Sequence, residues 1–307
     1  MTEDAEIAQA REALLGTGFE PDAVRSARLT RLGGLTNRNW RVDIDGRSLV
    51  LRIPGEGTSA YIDRAVEKHN AEVAARAGVN TEILSFQAAT GVMLCAYVEG
   101  ATMDAPRFKE LGSVARAARA FRRMHEWGEP FKTRFDLFQK MDEYLALLRT
   151  LQAPVPEGYE AAQREAEGVR TALGRNPAPL APCHCDPLAE NFLDTGTRMV
   201  IVDWEYSGMN DPMWDLGDLS VEAAFGPEQD AALLRAYFDG PAPAAAEARM
   251  ILYKAMCDLL WTLWGVIQHA NKNPADDFWA YAVGRFERCR RLMATADFSR
   301  ALRTLAG

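Results

Sequence analysis

Apolar positions along this chain follow two rhythms, and the change between them falls near residue 99. Residues 4–18 carry the spacing of an amphipathic helix. From about 28 to 98 the pattern is β-rich. Arg41–Ile44 and Arg47–Ile53 flank Asp45-Gly46, a two-residue hairpin signal. Thr58 or Ser59 then stands where a helix cap belongs, ahead of a helix running to Ala77, with Gly78 placed to end it. Glu82–Phe86 and Val92–Val98 form a second strand pair across Ala89-Thr90-Gly91. After Glu99-Gly100 the pattern turns helical. Asp104 and Pro106 open a helix on which Phe108, Leu111, Ala115, Ala118 and Phe121 share one face. Further helices are expected near 135–151, 157–174, 227–238, 244–270 and 275–296. The expected fold is α+β with two lobes that meet at 97–101. Residues 1–99 make a small β-rich lobe and residues 100–307 a larger, mostly helical one.

Composition narrows the field by exclusion. A chain of 307 residues with 48% hydrophobic and 25% charged residues is an ordinary globular protein. Its net charge of −8 argues against nucleic acid, which selects basic faces, and is compatible with a cationic substrate. The acidic start, Met1 to Glu6, lacks the basic and apolar regions of a signal peptide. The longest strongly apolar run, Leu259–Ile267, is too short to span a bilayer. Cysteines 95, 183, 185, 257 and 289 form no C-x-x-C pair and no zinc spacing. An odd, scattered set fits a reducing cytoplasm.

The chemistry concentrates in His184-Cys185-Asp186-Pro187-Leu188-Ala189-Glu190-Asn191, which reads H-x-D-x-x-x-x-N. The apolar strand Met199–Val202 follows, and then Asp203. Phosphoryl transfer needs a carboxylate to take the proton of the attacking hydroxyl, and oxygen ligands for magnesium. Asp186 suits the first role; Asn191 and Asp203 suit the second. The order, catalytic loop first and metal carboxylate second, matches the protein-kinase pattern. Trp204-Glu205-Tyr206 replaces Phe-Gly after the metal Asp, which points away from a protein substrate. The bland alternative is a loop Asp and Asn capping turns beside a buried His. Asp203, on a strand and in the right order, counts against it.

ATP must be gripped by the first lobe. Gly33-Gly34 lies between two strands, where glycines let backbone N–H groups approach phosphate and Thr36 and Asn37 add donors. A Gly-Gly pair is more often a plain turn, and no Walker lysine follows. Arg52 is the cation on the strand after this loop, and Glu67 or Glu72 on the next helix offers it a carboxylate. Glu67, nearer the helix middle, is preferred. Tyr97 and Val98, at the lobe junction, are counted with the nucleotide site. In the second lobe Trp261 and Trp264 stand three apart on one helix face. Such a pair is usually core. With Tyr206 and a carboxylate, Glu205 or Asp215, it would instead form a box for a quaternary ammonium group.

These residues together resemble the choline/ethanolamine kinase family, within the aminoglycoside-phosphotransferase-like kinases. The resemblance rests on Gly33–Asn37, Leu51–Gly55, His184–Asn191, Val202–Ser207 running on to Asp215-Leu216-Gly217-Asp218, and Trp261–Gln268. It covers residues 32 to 268. It implies ATP- and magnesium-dependent transfer to the hydroxyl of choline or a related small cationic amino alcohol. Asp186 would be the base, Asn191 and Asp203 the metal ligands and Arg52 a phosphate contact. Ethanolamine, thiamine, an aminoglycoside or a sugar is the alternative acceptor, and a catalytically dead kinase-fold binding module is the alternative class. Intact Asp186, Asn191 and Asp203 argue against the last.

Overall fold

The computed structural model describes residues 3–34, 37–55, 58 and 62–306. Its first sheet is built by local pairing. After α1 (Glu3–Leu15) and α2 (Pro21–Ser26) come β1 (Arg28–Arg31), β2 (Arg38–Ile44), β3 (Arg47–Ile53), α3 (Arg64–Arg76), β4 (Ile83–Phe86) and β5 (Met93–Ala96). The strands lie in the order β1-β2-β3-β5-β4 with antiparallel neighbours. The expected hairpin is present. Asp45 and Gly46 both have positive φ, 49° and 73°, the geometry that matches the right-handed twist of the flanking strands. Trp40, Val42, Leu49, Leu51 and Leu94 alternate inward and pack with Leu14 and Val24 of the two helices.

Helix α3 starts later than expected. Its cap is Asp63, whose carboxylate accepts from the Ala65 and Val66 amides at 2.9 and 3.1 Å. Thr58 instead donates its hydroxyl to the Gly55 carbonyl, and Ser59 lies outside the described residues. Gly78, at φ 72°, turns the chain out of the helix. Val79 then accepts from the Ile201 amide at 2.9 Å, which ties the end of α3 to the second part of the chain.

That part contains β6 (Ala101–Thr102), α4 (Leu111–His125), α5 (Leu137–Thr150), α6 (Tyr159–Arg175), β7 (Ala181–Cys183), β8 (Phe192–Asp194), β9 (Met199–Ile201) and β10 (Gly208–Asn210). There follow α7 (Pro212–Glu222), α8 (Pro227–Phe238), α9 (Ala244–Ala270), α10 (Phe278–Met293) and α11 (Ala296–Ala306). The short helices α2, α7 and α11 are additional to those expected. The apolar face expected around α4 is also corrected. Phe108, Ala118 and Phe121 are buried, but Leu111 is exposed. Phe108 belongs to a separate 3-10 turn that ends at Glu110, and the Glu110 carboxylate caps α4 through the Gly112 and Ser113 amides. The break in phase puts Leu111 outside.

Helix α9 is long and apolar enough to cross a membrane, yet 83% of its most apolar stretch is buried within the protein. It is the central core helix, packed by α7, α10 and α11. Phe192 marks another packed point: fully buried, it meets Phe108 and Phe121 edge-on at 5.7 and 5.6 Å. Phe192→Ala should lower unfolding stability by about 3–5 kcal/mol, read by urea denaturation. A loss below about 1 kcal/mol would show that this cluster relaxes freely.

Candidate active site

Two short ladders bring the motif residues together. Gly208 of β10 pairs with Cys183 of β7, so the loop from His184 and the segment from Asp203 to Ser207 leave the same ladder. Phe192 of β8 pairs with Ile201 of β9, and the Val202 amide donates to the Asn191 carbonyl at 2.9 Å. That hairpin sets Asn191 beside Asp203. Cys185 and Asp203 both sit in left-handed backbone at φ 68°. For residues other than glycine this costs about 1–3 kcal/mol each and is held by the surroundings.

Asp215 is what holds the loop. It is fully buried in the first turn of α7. Its carboxylate accepts from the His184 amide at 2.7 Å and the Cys185 amide at 2.9 Å, and His125 Nε2 lies 3.0 Å away. These contacts correct the expectation that Asp215 faces a substrate cation: both of its oxygens are committed to the catalytic loop. His184 is buried, its Nε2 lies 2.9 Å from the Val202 carbonyl, and its Nδ1 accepts from the Asp186 amide at 3.4 Å. Burial holds its pKa below the usual value, so the neutral ring is a fixed strut. Trp204 backs it edge-on at 4.7 Å and donates its indole N–H to the Ile201 carbonyl.

Asp186, half-buried, points at a site crowded with carboxylates. Burial raises its pKa well above the usual range, and Glu222 and Asp203 raise it further. Asp203 is pushed up to about 7, by burial first and then by Glu205, against the pull of Arg52. Arg52 is buried and bridges Glu67, Asp203 at 3.3 Å and Glu205 at 3.5 Å. Glu67 is thus the partner of Arg52, whereas Glu72 faces Lys68 at the surface. Asn191 donates its amide N–H to the Asp186 carbonyl at 3.2 Å, which leaves its side-chain oxygen as the end suited to a cation. Glu67, Asp203 and Glu205 lie close enough to share one ion. With Asp186 they set four carboxylates against Arg52 and Arg64. That surplus of hard oxygen donors fits a divalent cation such as magnesium.

The glycine loop is tighter than a plain turn. Gly34 has φ 151°, and a Cβ there would lie 2.5 Å from the Asn37 carbonyl oxygen. Asn37 is corrected as a phosphate donor. Its amide N–H goes to Glu205 at 3.0 Å and its oxygen accepts from the Gly55 amide at 3.3 Å. Thr36 lies outside the described residues. Tyr97 sits just past β5 with the Arg41 guanidinium 4.4 Å over its ring, and Val98 beside it is half-buried.

Two of the three expected aromatic residues meet, and the third packs elsewhere. Tyr206 meets Trp261 edge-on at 5.6 Å, and the Trp261 indole N–H has no partner among the described residues. Trp264 packs with Phe278 at 5.5 Å and Tyr281 at 5.8 Å, both from α10. Gly265 permits this approach, since a Cβ there would come within 2.7 Å of Tyr281. Glu205 is not free to balance a substrate cation, because Arg64 holds it at 2.7 Å. The carboxylates behind the aromatic wall are Asp218 and Glu222. Asp218 is fully buried, takes the Cys257 thiol at 2.8 Å, and has its second oxygen unpartnered among the described residues. Glu222 pairs with Arg285 at 2.5 Å, and that guanidinium lies 4.7 Å over Tyr281. Glu222, Tyr281, Arg285 and Arg64 escaped the sequence reading, and Asp218 entered it only within a motif, without a role. The only available signal was spacing: Asp218 and Glu222, like Tyr281 and Arg285, stand four apart on one helix face.

Asp215→Asn tests the clamp. An amide oxygen can accept only one of the two loop amides well, and its NH2 faces a second donor. Stability should fall by about 1–3 kcal/mol, and turnover should fall by more than the loss of folded protein explains. Unchanged turnover in the folded variant would separate Asp215 from the loop.

Comparison with known proteins agrees with this geometry. The model of the phosphotransferase enzyme family matches residues 28–250. The structure of a choline/ethanolamine kinase family protein from Mesorhizobium loti is 53% identical, with 99% of each chain covered and a TM-score of 0.88. Choline kinase LicA from Streptococcus pneumoniae is 26% identical, covering 87% of this chain and 93% of that one, with a TM-score of 0.75; a LicA complex with AMP gives 0.73. Ethanolamine kinase 2 of Mus musculus is 28% identical over 87% of this chain and 76% of its own length. The chain therefore belongs to the phosphotransferase enzyme family, in its choline/ethanolamine kinase branch, and is a phosphotransferase acting on an alcohol.

Proposed function

We propose that this protein transfers the γ-phosphoryl group of ATP to the hydroxyl of choline or a closely related amino alcohol. The observation that carries the reading is the juxtaposition of Asp186, Asn191 and Asp203 with an aromatic group backed by buried carboxylates. Asp186 takes the hydroxyl proton as the alcohol oxygen bonds to phosphorus and the bond to the ADP oxygen breaks. Asn191 and Asp203 would hold magnesium, which when bound neutralises charge on the phosphates. Arg52, kept in place by Glu67, would contact phosphate. LicA bound to AMP supports an adenine nucleotide as donor.

On this reading residues 1–99 form the nucleotide lobe and residues 100–307 the catalytic and substrate lobe. A change of partner supports that boundary: the Tyr97 amide bonds to Ser48 in the first sheet, whereas Ala101 pairs with Asp194. The acceptor's ammonium group would sit among Tyr206, Trp261, Trp264 and Tyr281. Ethanolamine is the second reading, favoured by the Asp218 oxygen that has no partner among the described residues, which a primary ammonium could satisfy by hydrogen bonding.

Asp186→Asn should lower kcat by about a hundredfold or more with the fold intact, measured by ATP consumption over a panel of amino alcohols, sugars and aminoglycosides. Near-normal turnover would remove Asp186 from the base role. Trp264→Ala should weaken choline by about thirtyfold in KM, with ATP little changed, because a desolvated cation over an aromatic face gains about 2 kcal/mol. A wild type that ignores both choline and ethanolamine would move the substrate elsewhere in the family.

A further inference from the structure

Arg64 has no counterpart in the roles assigned so far, yet it is among the most thoroughly engaged side chains in the cleft. It stands at the first turn of α3 and is 5% exposed. One guanidinium nitrogen reaches two carboxylates at once, Glu67 and Glu205, each at 2.7 Å. The other bonds the Thr58 hydroxyl at 2.6 Å. Its stem is pinned from behind: a Cβ on Gly91 would come within 2.9 Å of its Nε and 3.0 Å of its Cδ. The guanidinium therefore joins α3 to the segment that follows Asp203.

The position of Arg64 decides what Arg52 is free to do. Glu205 is shared by Arg64 at 2.7 Å, Asn37 at 3.0 Å and Arg52 at 3.5 Å. Glu67 presents one oxygen to Arg52 and the other to Arg64. Remove Arg64, and the nearest cation for Glu205 is Arg52. A buried guanidinium between two unneutralised carboxylates would close on both, since uncompensated buried charge is costly.

We propose that Arg64 is a positioning residue for nucleotide binding: by taking most of the charge of Glu205 at 2.7 Å it weakens the hold of that carboxylate on Arg52, 3.5 Å away, and leaves Asp203 at 3.3 Å as the stronger partner on that side. This rests on the reading that Asn191 and Asp203 take magnesium and that Arg52 contacts phosphate. With Asp203 engaged by a bound cation, Arg52 would be freer to turn toward the phosphates. Arg64 thus couples metal to nucleotide without touching either.

Equilibrium binding of ADP to the full chain, by calorimetry in excess magnesium and again in EDTA, tests this. The quantity read is the ratio of the two dissociation constants. In Arg64→Met the gain in ADP affinity from magnesium should shrink by about tenfold, as expected for a buried charged contact diverted. Adding Glu205→Gln should restore much of that gain, because the carboxylate that captures Arg52 is gone. Arg64→Lys keeps the charge but reaches one carboxylate at a time. It should give an intermediate ratio, and it serves if Arg64→Met does not fold. A ratio equal to wild type in folded Arg64→Met or Arg64→Lys, whatever the melting temperature, overturns the proposal and makes Arg64 a structural strut. So does a double variant worse than Arg64→Met. A wild type whose ADP affinity ignores magnesium overturns the proposal together with the metal reading beneath it. Turnover of Asp186→Asn tests the proton-transfer reading separately.

Discussion

Two guanidiniums buried among three carboxylates make the cleft what it is. Arg52 and Arg64 are each almost wholly removed from water, and so is Glu67. Charges in that position persist only when paired in good geometry, because losing one partner leaves another stranded. The pairing reaches from β3 and α3, which carry Arg52, Arg64 and Glu67, to Asp203 and Glu205. The polar groups that need each other thus come from both halves of the chain. Burial of apolar surface alone would leave the relative position of those halves loosely defined.

The excess of negative charge in the same place has a chemical meaning. Asp186, Asp203, Glu205 and Glu67 outnumber the two arginines, and burial raises the first two carboxyls well above their usual range. Such a site is unfavourable when empty of cations and welcomes a divalent one. Behind the aromatic wall Asp218 and Glu222 repeat the theme, with only Glu222 matched by Arg285. One acidic surplus lies around Arg52 and the other beside Arg285.

Two residues in left-handed backbone fall at the same points. Cys185 and Asp203 hold left-handed conformations that no glycine relieves, the first of them next to Asp186 in the chain. Asp215 holds the first of them through two amide hydrogen bonds, and the β8–β9 hairpin holds the second. A loop left to itself would relax; here its geometry is fixed by an α7 carboxylate buried in the helical core.

The sequence by itself determined most of the elements and suggested the chemical roles. Hairpin chemistry at Asp45-Gly46, the helical rhythm after residue 99 and the spacing from His184 to Asp203 are local properties, readable because turn and helix preferences act over a few residues. The motif that carries Asp186, Asn191 and Asp203 was legible for the same reason. Tertiary structure decided the partners. Nothing local distinguishes Asp215, which clamps the loop, from Asp218, which accepts from the Cys257 thiol; both sit on α7 three residues apart. Glu205 and Asn37 have suitable chemistry for a ligand but are taken up by Arg64, Gly55 and each other. Trp264 meets α10 instead of Trp261, since the faces that touch depend on how helices far apart in the chain cross. Which charge neutralises which is set by distances across the fold, and those exist only once the chain has closed on itself.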